Sequence, residues 1–278
     1  MNKIISRLSA SIILFSLLLT MVSCNNGDDG GNKPIDNDLM NKATKILSYN
    51  IIQQYPHDTS AFTEGLQLHN GKLYEGTGME GESTLRITDM KTGKVEKRYF
   101  YTDPKIFGEG IQVFKGRIYQ LTWRNHIVYV FDEKDISKPV KTFNWPNEGW
   151  GMTNNGTDLI ISDGSPNLYF VQPDSFRVRT ILNVTDNNNN PVADINELEY
   201  VDGFIYANIW QTDSIVKIDP QSGKVVARLT LPKFPETYFP TQINERTEYL
   251  NGIAYDSSSK TFLITGKRWP IMFQMQIN

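Results

Sequence analysis

The sequence predicts an all-β fold, a five-bladed β-propeller closed by an N-terminal strand. Three observations carry that expectation. A strand, turn, strand unit recurs five times: FTEGLQLHNGKLYEGTG from Phe62, FGEGIQVFKGRIYQLTW from Phe107, NEGWGMTNNGTDLIISDG from Asn147, INELEYVDGFIYANIW from Ile195 and LNGIAYDSSSKTFLITGK from Leu250. The first apolar residue of each copy (Leu66, Ile111, Met152, Leu198, Ile253) recurs at intervals of about 41 to 55 residues, close to the span of a four-stranded blade. Between copies lies a further strand pair, as in STLRITDMKTGKVEKRYF from Ser83 and DSIVKIDPQSGKVVARLTL from Asp213, with Thr92-Gly93 and Ser222-Gly223 as hairpin turns. One copy and one such pair make one blade.

Taken in order, residues 1–23 read as an export signal. Lys3 and Arg7 give it a positive end, and Ala10 to Val22 is an apolar run too short to span a bilayer comfortably. Cys24 follows Met21, Val22 and Ser23 in the manner of a bacterial lipoprotein processing site, so it is the expected point of lipidation. The chain is therefore expected to be exported and lipid-anchored in the cell envelope, in the periplasm or at the outer membrane. Cys24 is the only cysteine, which excludes an intrachain disulfide and leaves the folded body without a cysteine nucleophile or cysteine metal cluster. Residues 24–42, rich in Gly, Asn and Asp, read as a flexible tether, with the propeller over residues 43–278.

Four complete blades start at Phe62, Phe107, Asn147 and Ile195, but the fifth copy is followed by only one strand, MFQMQIN from Met272. The segment KILSYNIIQQYP from Lys45 is expected to supply the missing partner and so remove a free sheet edge. Two insertions break the rhythm, NVTDNNNNPVADIN from Asn183 and LPKFPETYFPTQINERTEYLNG from Leu231. Loops longer than about 12 residues are often lids or binding loops, so both are expected to edge a site, the second by folding over the channel mouth. The charge balance, 28 basic against 31 acidic side chains, argues against a nucleic-acid partner. A closed propeller is expected to be a monomer.

The copies differ most at two positions. One column, beside the glycine that opens most copies, reads Glu64, Glu109, Trp150, Asn196 and Asn251; a second, at the end of the following strand, reads Gly78, Trp123, Gly164, Trp210 and Lys267. The same position in every blade lies on one ring about the propeller axis, so each column should converge on one end of the channel. Carboxylates, amides, indoles and one ammonium on a ring describe a pocket.

Glu109 is the candidate acid-base group. Beside Phe107 and in a ring with Trp123, Trp150 and Trp210, its carboxyl is expected to lose hydration, rise from about 4.3 and pass protons near neutral pH. Repulsion from Glu64 in the adjacent copy would raise one of the two further. The alternative for either is to accept backbone hydrogen bonds at a strand start. Lys267, an amine seldom buried alone, would pair with Glu64 or Glu109 or bind a carbonyl or carboxylate of a ligand. The tryptophans suit a small flat or aliphatic group or a cation, or else pack between blades.

Other chemistries find little support. His57, His69 and His126 fall outside both columns, against a histidine metal site or a Ser-His-Asp triad, and no GxxxxGK phosphate loop occurs. Asp186 to Asn190 has a make-up that can hold a structural calcium, the one metal option the chain offers.

In order, FTEGL, FGEGI, LTW, EGWGMTNNG with SDGS, INELEYVDGFIYANIW and LNGIAYD with ITGKRWP resemble the plant and bacterial type of glutaminyl-peptide cyclotransferase, the glutamine cyclotransferases, from about Tyr49 to Phe273. The resemblance implies a five-bladed propeller, unrelated to the zinc-dependent animal enzymes, that converts the N-terminal glutamine of a peptide into pyroglutamate with release of ammonia and without a cofactor. It implies that the catalytic glutamate is Glu109 with Phe107 beside it, that the pocket tryptophans are Trp123, Trp150 and Trp210, and that Asn196 and Lys267 are the substrate-binding asparagine and the site lysine. Where plant members carry glutamine this chain has Glu64, whose carboxylate adds negative charge toward a peptide's ammonium. The reading from another class is a non-catalytic surface propeller that binds a peptide end or sugar in the same pocket, since fold alone does not fix activity.

Overall fold

The structure, a computed structural model, describes residues 44–278; the leader, Cys24 and the tether lie outside the described residues. The described chain enters through β1 (Lys45–Ile46) and β2 (Tyr49–Pro56). Five antiparallel sheets follow, each with its first strand innermost. The first is β3 (Thr63–His69), β4 (Lys72–Thr77), β5 (Thr84–Thr88) and β6 (Val95–Phe100), and the second β7 (Gly108–Phe114), β8 (Arg117–Thr122), β9 (Ile127–Asp132) and β10 (Asp135–Asn144). The third is β11 (Met152–Asn154), β12 (Leu159–Ser162), β13 (Asn167–Val171) and β14 (Val178–Asn183), and the fourth β15 (Ile195–Val201), β16 (Phe204–Ile209), β17 (Ser214–Ile218) and β18 (Val225–Thr230). The fifth has β19 (Leu250–Asp256), β20 (Thr261–Gly266) and β21 (Ile271–Ile277), with β2 outermost and antiparallel to β21 from Tyr49 opposite Ile277 to Pro56 opposite Ile271. β1 lies parallel to β18 in the fourth blade. The five-bladed propeller expected from the repeat is the fold.

Each sequence repeat is the inner hairpin of a blade. Asn70-Gly71, Lys115-Gly116 and Asp202-Gly203 take positive φ at both positions, the backbone of a two-residue turn whose twist matches the strands it joins. Inner strands are buried on both faces, as β7 is throughout, whereas β6 exposes Glu96, Lys97 and Arg98. The reason is packing between blades: five apolar clusters fill the five blade interfaces. Leu66 and Leu73 meet Ala254, Leu263 and Met272 between the first and fifth blades, for example, and Leu85 and Ile87 meet Ile111, Ile118 and Phe131 between the first and second.

The inner strands converge so closely that a side chain beyond hydrogen does not fit where they meet. A methyl group on Gly151 would lie 2.1 Å from the Asn196 carbonyl, and one on Gly110 would lie 2.5 Å from the Trp150 carbonyl. The fourth copy breaks this pattern with Glu197, whose carboxyl reaches across the axis to accept the backbone N–H groups of Leu66 (3.2 Å) and Ile253 (2.8 Å). Burial pushes Glu197 well above the usual carboxylate range, and the charge of Glu199 adds to it.

Both insertions are more firmly built than a lid requires. The second contains the short helix α1 (Phe234–Tyr238), and its Phe234 and Phe239 are buried against Trp269 and Phe273 in the core between the fourth and fifth blades. Apolar burial, not cover of the channel, is what Phe234 and Phe239 do. The tip of the first insertion lies at the outer side of the fourth blade, where Thr185 bridges Lys224. The Lys224 ammonium donates to the Asp186 carbonyl at 3.0 Å and to the Asn189 side-chain oxygen, so two of this loop's oxygens already engage a cation of the chain itself.

Candidate active site

Four of the five inner strands carry a β-bulge at the first-column residue. The register slips between Thr63 and Gly65, Gly108 and Ile111, Ile195 and Leu198, and Leu250 and Ile253, which spans Glu64, Glu109, Asn196 and Asn251. A bulge re-aims the side chain it carries. At one end of the channel is a cavity of about 650 Å3 lined by Glu64, Glu109, Trp150 and Asn196 from the first column and Trp123, Gly164, Trp210 and Lys267 from the second. Phe107 lines it too, so every residue expected to catalyse or to bind substrate stands on one cavity. Asn251 and Gly78 act from behind it. The Asn251 amide donates to the Thr63 carbonyl at 2.8 Å and to Glu64 at 3.3 Å, and Gly78 leaves the room that Phe107 fills, since a methyl there would lie 2.4 Å from its ring.

Glu64, Glu109 and Lys267 form a buried set with 4%, 5% and 1% of their surface exposed. The Lys267 ammonium pairs with the Glu64 carboxylate, donates to the Thr63 carbonyl at 3.2 Å and lies 4.2 Å from the centre of the Phe62 ring. Glu109 has no such cation; its carboxyl hydrogen-bonds that of Glu64. Burial therefore pushes Glu109 well above the ordinary range, the Glu64 charge pushes it further, and Lys267 offsets only part of this. Burial raises Glu64 as well, and Lys267 and the hydrogen bond from Glu109 take back only part of that rise. Of the two carboxyl groups Glu109 is thus the one pushed harder toward its protonated form, while Glu64 holds the ion pair with Lys267.

The aromatic walls are tied by their polar atoms. The indole N–H groups of Trp123 (2.7 Å) and Trp150 (3.0 Å) both donate to Glu148 Oε2, and that of Trp210 donates to the Tyr249 hydroxyl at 2.6 Å. Trp150 meets Trp210 edge to face at 5.6 Å, and Phe107 lies 5.5 Å from Trp123. Gly164, at φ 79°, admits the Trp150 ring, because a methyl there would lie 2.6 Å from it. Burial raises Glu148, but hydrogen bonds from Arg124 and the two indoles outweigh it and hold the carboxylate below its ordinary range.

Sequence reasoning missed a third ring. Two residues before each member of the first column stand Phe62, Phe107, Glu148, Asp194 and Tyr249, and all five line the cavity. The signal was the two-residue period of an extended chain, which returns a side chain to the same side, and only Phe107 was read from it. The remaining lining residues, Met79, Arg124, Asp163 and Ser165, are chain neighbours of the second column. Each insertion reaches the cavity only through its final turn, at Asp194 and Tyr249.

A second buried ionic cluster lies apart from the cavity lining. His57 contacts Glu75 at 2.9 Å and the Trp269 carbonyl at 2.7 Å, Thr63 donates to Glu75 at 2.8 Å, and Arg86 bridges to Asp58 at 2.9 Å. It joins the first blade to the turn before β21. Burial lowers His57, but Glu75 more than reverses that and raises it; burial raises Glu75, but His57 and Arg86 bring it below its ordinary range. Among the described residues no group of three or more His, Cys, Asp or Glu converges as a metal site.

A family model described as glutamine cyclotransferase matches residues 19–277. The chain is 34% identical over 235 residues to the glutaminyl-peptide cyclotransferase of Arabidopsis thaliana, across 84% of this chain and 72% of that protein. The crystal structure of the Myxococcus xanthus glutaminyl cyclase is similar at a TM-score of 0.77 and 32% identity, covering 84% of this chain and 98% of that one. On the extent of the family match and of these two likenesses, the chain belongs to the glutamine cyclotransferase family.

Proposed function

We propose that this chain converts the N-terminal glutamine of peptides or proteins into pyroglutamate with release of ammonia, and that Glu109 is its general acid and base. The observation that carries the proposal is a buried carboxyl group, pushed well above its ordinary range and hydrogen-bonded to an ion-paired neighbour, at the wall of an aromatic cavity. The α-amine has a pKa near 7.7 to 8.0, so its free base is available at neutral pH. The harder requirement is loss of an amide nitrogen, which leaves readily once protonated. In the proposed reaction the amine nitrogen bonds to the side-chain carbonyl carbon and the bond to the amide nitrogen breaks. Glu109 gives its proton to the departing nitrogen, and the carboxylate so formed takes the proton that the attacking amine sheds. One proton passes from amine to ammonia, and Glu109 ends as it began.

The walls supply orientation. Curling the glutamine side chain back toward its own amine is a loss of freedom that Trp123, Trp150, Trp210 and Phe107 impose on binding, and such ordering is worth on the order of 7 to 11 kcal/mol at its best. Asn196, at the same cavity, is the better donor to the developing oxyanion, because the Lys267 ammonium is already engaged by Glu64 and the Thr63 carbonyl. Glu64 in turn keeps a negative charge near the incoming ammonium and keeps the proton on Glu109.

The scheme has no step for a metal or cofactor, and Lys224 supplies the positive charge that the Asp186–Asn190 loop calls for in place of calcium. We further propose that the protein acts as a monomer, exported and lipid-anchored through Cys24 in the cell envelope, on peptides rather than nucleic acids. Labelling with a fatty-acid precursor, lost in Cys24→Ala, checks the anchor. The activity is tested by ammonia release from a Gln-initiated peptide; a folded, inactive wild-type protein would leave only a binding role for the pocket.

A further inference from the structure

Glu148 lies on the connection between β10 and β11, and its backbone is fixed on both sides. Its carbonyl accepts the Trp145 indole N–H at 3.0 Å, and the next N–H, of Gly149, donates to the Trp123 carbonyl at 3.1 Å. Gly149 permits this approach, since a methyl there would lie 2.7 Å from the Thr122 carbonyl. The side chain so placed takes Trp123 of the second blade and Trp150 of the third on one oxygen, while its other oxygen accepts Arg124 Nε at 2.7 Å. The Arg124 guanidinium lies 3.9 Å from the centre of the Trp123 ring, against its face.

An indole has one polar donor and no acceptor. With both donors turned to Glu148, the two walls present only ring surface to whatever lies between them, and the rings cannot swing without giving up a charge-assisted hydrogen bond. We propose that Glu148 is a positioning residue, a clamp that joins two blades and fixes Trp123 and Trp150 at the angle that curls the substrate's side chain. The proposal rests on the activity proposed above. Glu148 touches the walls rather than the reacting atoms, so its effect falls on turnover more than on binding.

The test compares wild type, Glu148→Ala and Glu148→Gln, each first shown to unfold cooperatively. On a Gln-initiated peptide, Glu148→Ala is expected to lose roughly 100-fold in kcat, the scale of a misplaced substrate, with KM changed much less. Glu148→Gln, which keeps an oxygen acceptor, is expected to recover most of that loss. In a 15N–1H spectrum the chain's five tryptophans give resolvable indole signals, and in Glu148→Ala those of Trp123 and Trp150, assigned by Trp→Phe variants, are expected to exchange rapidly with solvent. The clamp is overturned if Glu148→Ala keeps the wild-type kcat, or if those two signals stay protected, or if alanine and glutamine variants lose activity equally. An inactive wild type would sink the proposed reaction instead, and the indole signals would still decide whether Glu148 holds the walls.

Discussion

Glu75 and Glu109 sit in adjacent blades, each almost without contact with water, and they have opposite character. Glu75 is met by an imidazole, a hydroxyl and, at 3.9 Å, a guanidinium, and burial loses to them, so its carboxyl is held below the ordinary range. Glu109 is met by another carboxyl group, whose cation is already taken, and burial wins. A buried charge therefore marks neither architecture nor chemistry by itself. What separates the two sites is whether the surroundings complete the charged form, and only where they fail to, beside an open cavity, is a proton left available for transfer.

The most severe way to test the architectural side is to remove what leads into it. Deleting residues 44–56 takes away β1 and β2, leaves β21 as a bare sheet edge paired only with β20 and frees His57 from the strand that precedes it. The expected outcome, by circular dichroism during heating, is loss of a cooperative transition. Next in size, Glu75→Gln leaves buried His57 without its anion and Arg86 with Asp58 alone, and should cost about 3–5 kcal/mol in denaturant unfolding. Glu109→Gln, made at a carboxyl that burial and Glu64 push well above its ordinary range and that has no ion pair to lose, should leave stability unchanged or raised. Equal losses in the two variants would erase the distinction.

The same contrast has a pH dependence. Glu75, lowered on folding, contributes stability above the unfolded carboxylate range that is lost as pH falls through its folded value. Glu199, buried with its carboxyl on the Tyr255 N–H at 3.0 Å, is raised to about 8, chiefly by burial. Its contribution is present at low pH and fades as pH rises from the unfolded carboxylate range to about 8, at about 1.4 kcal/mol per unit. Glu199→Gln should accordingly stabilise the protein more at pH 8 than at pH 5, as read from Tm. The smallest effect concerns the dyad. Glu64→Gln removes the negative neighbour of Glu109 and leaves Lys267 facing it, so the alkaline limb of the kcat/KM profile should move to lower pH by about one unit.

The fold was legible because blades are encoded twice, by the repeat that forms the inner hairpin and by hairpin turns such as Thr92-Gly93 and Ser222-Gly223 between the outer strands. The site was legible where residues of a ring are the same position in different copies, as for Glu64 with Glu109 or Trp123 with Trp210. Glu148 and Tyr249 escaped because they stand in neither stacked column, although the extended chain carries the residue two before the first column to the same cavity. The His57, Glu75 and Arg86 cluster could not be read at all. Its members come from different strands, and its last partner is a carbonyl at Trp269 more than two hundred residues from His57, so only the meeting of the first and fifth blades makes it a unit.

Ammonia release from a Gln-initiated peptide at neutral pH, by the wild-type protein and by Glu109→Gln of matched Tm, tests the central claim most directly. The account predicts turnover by the wild type and a fall of roughly 100-fold to 10,000-fold in the variant; wild-type rates in Glu109→Gln would contradict it.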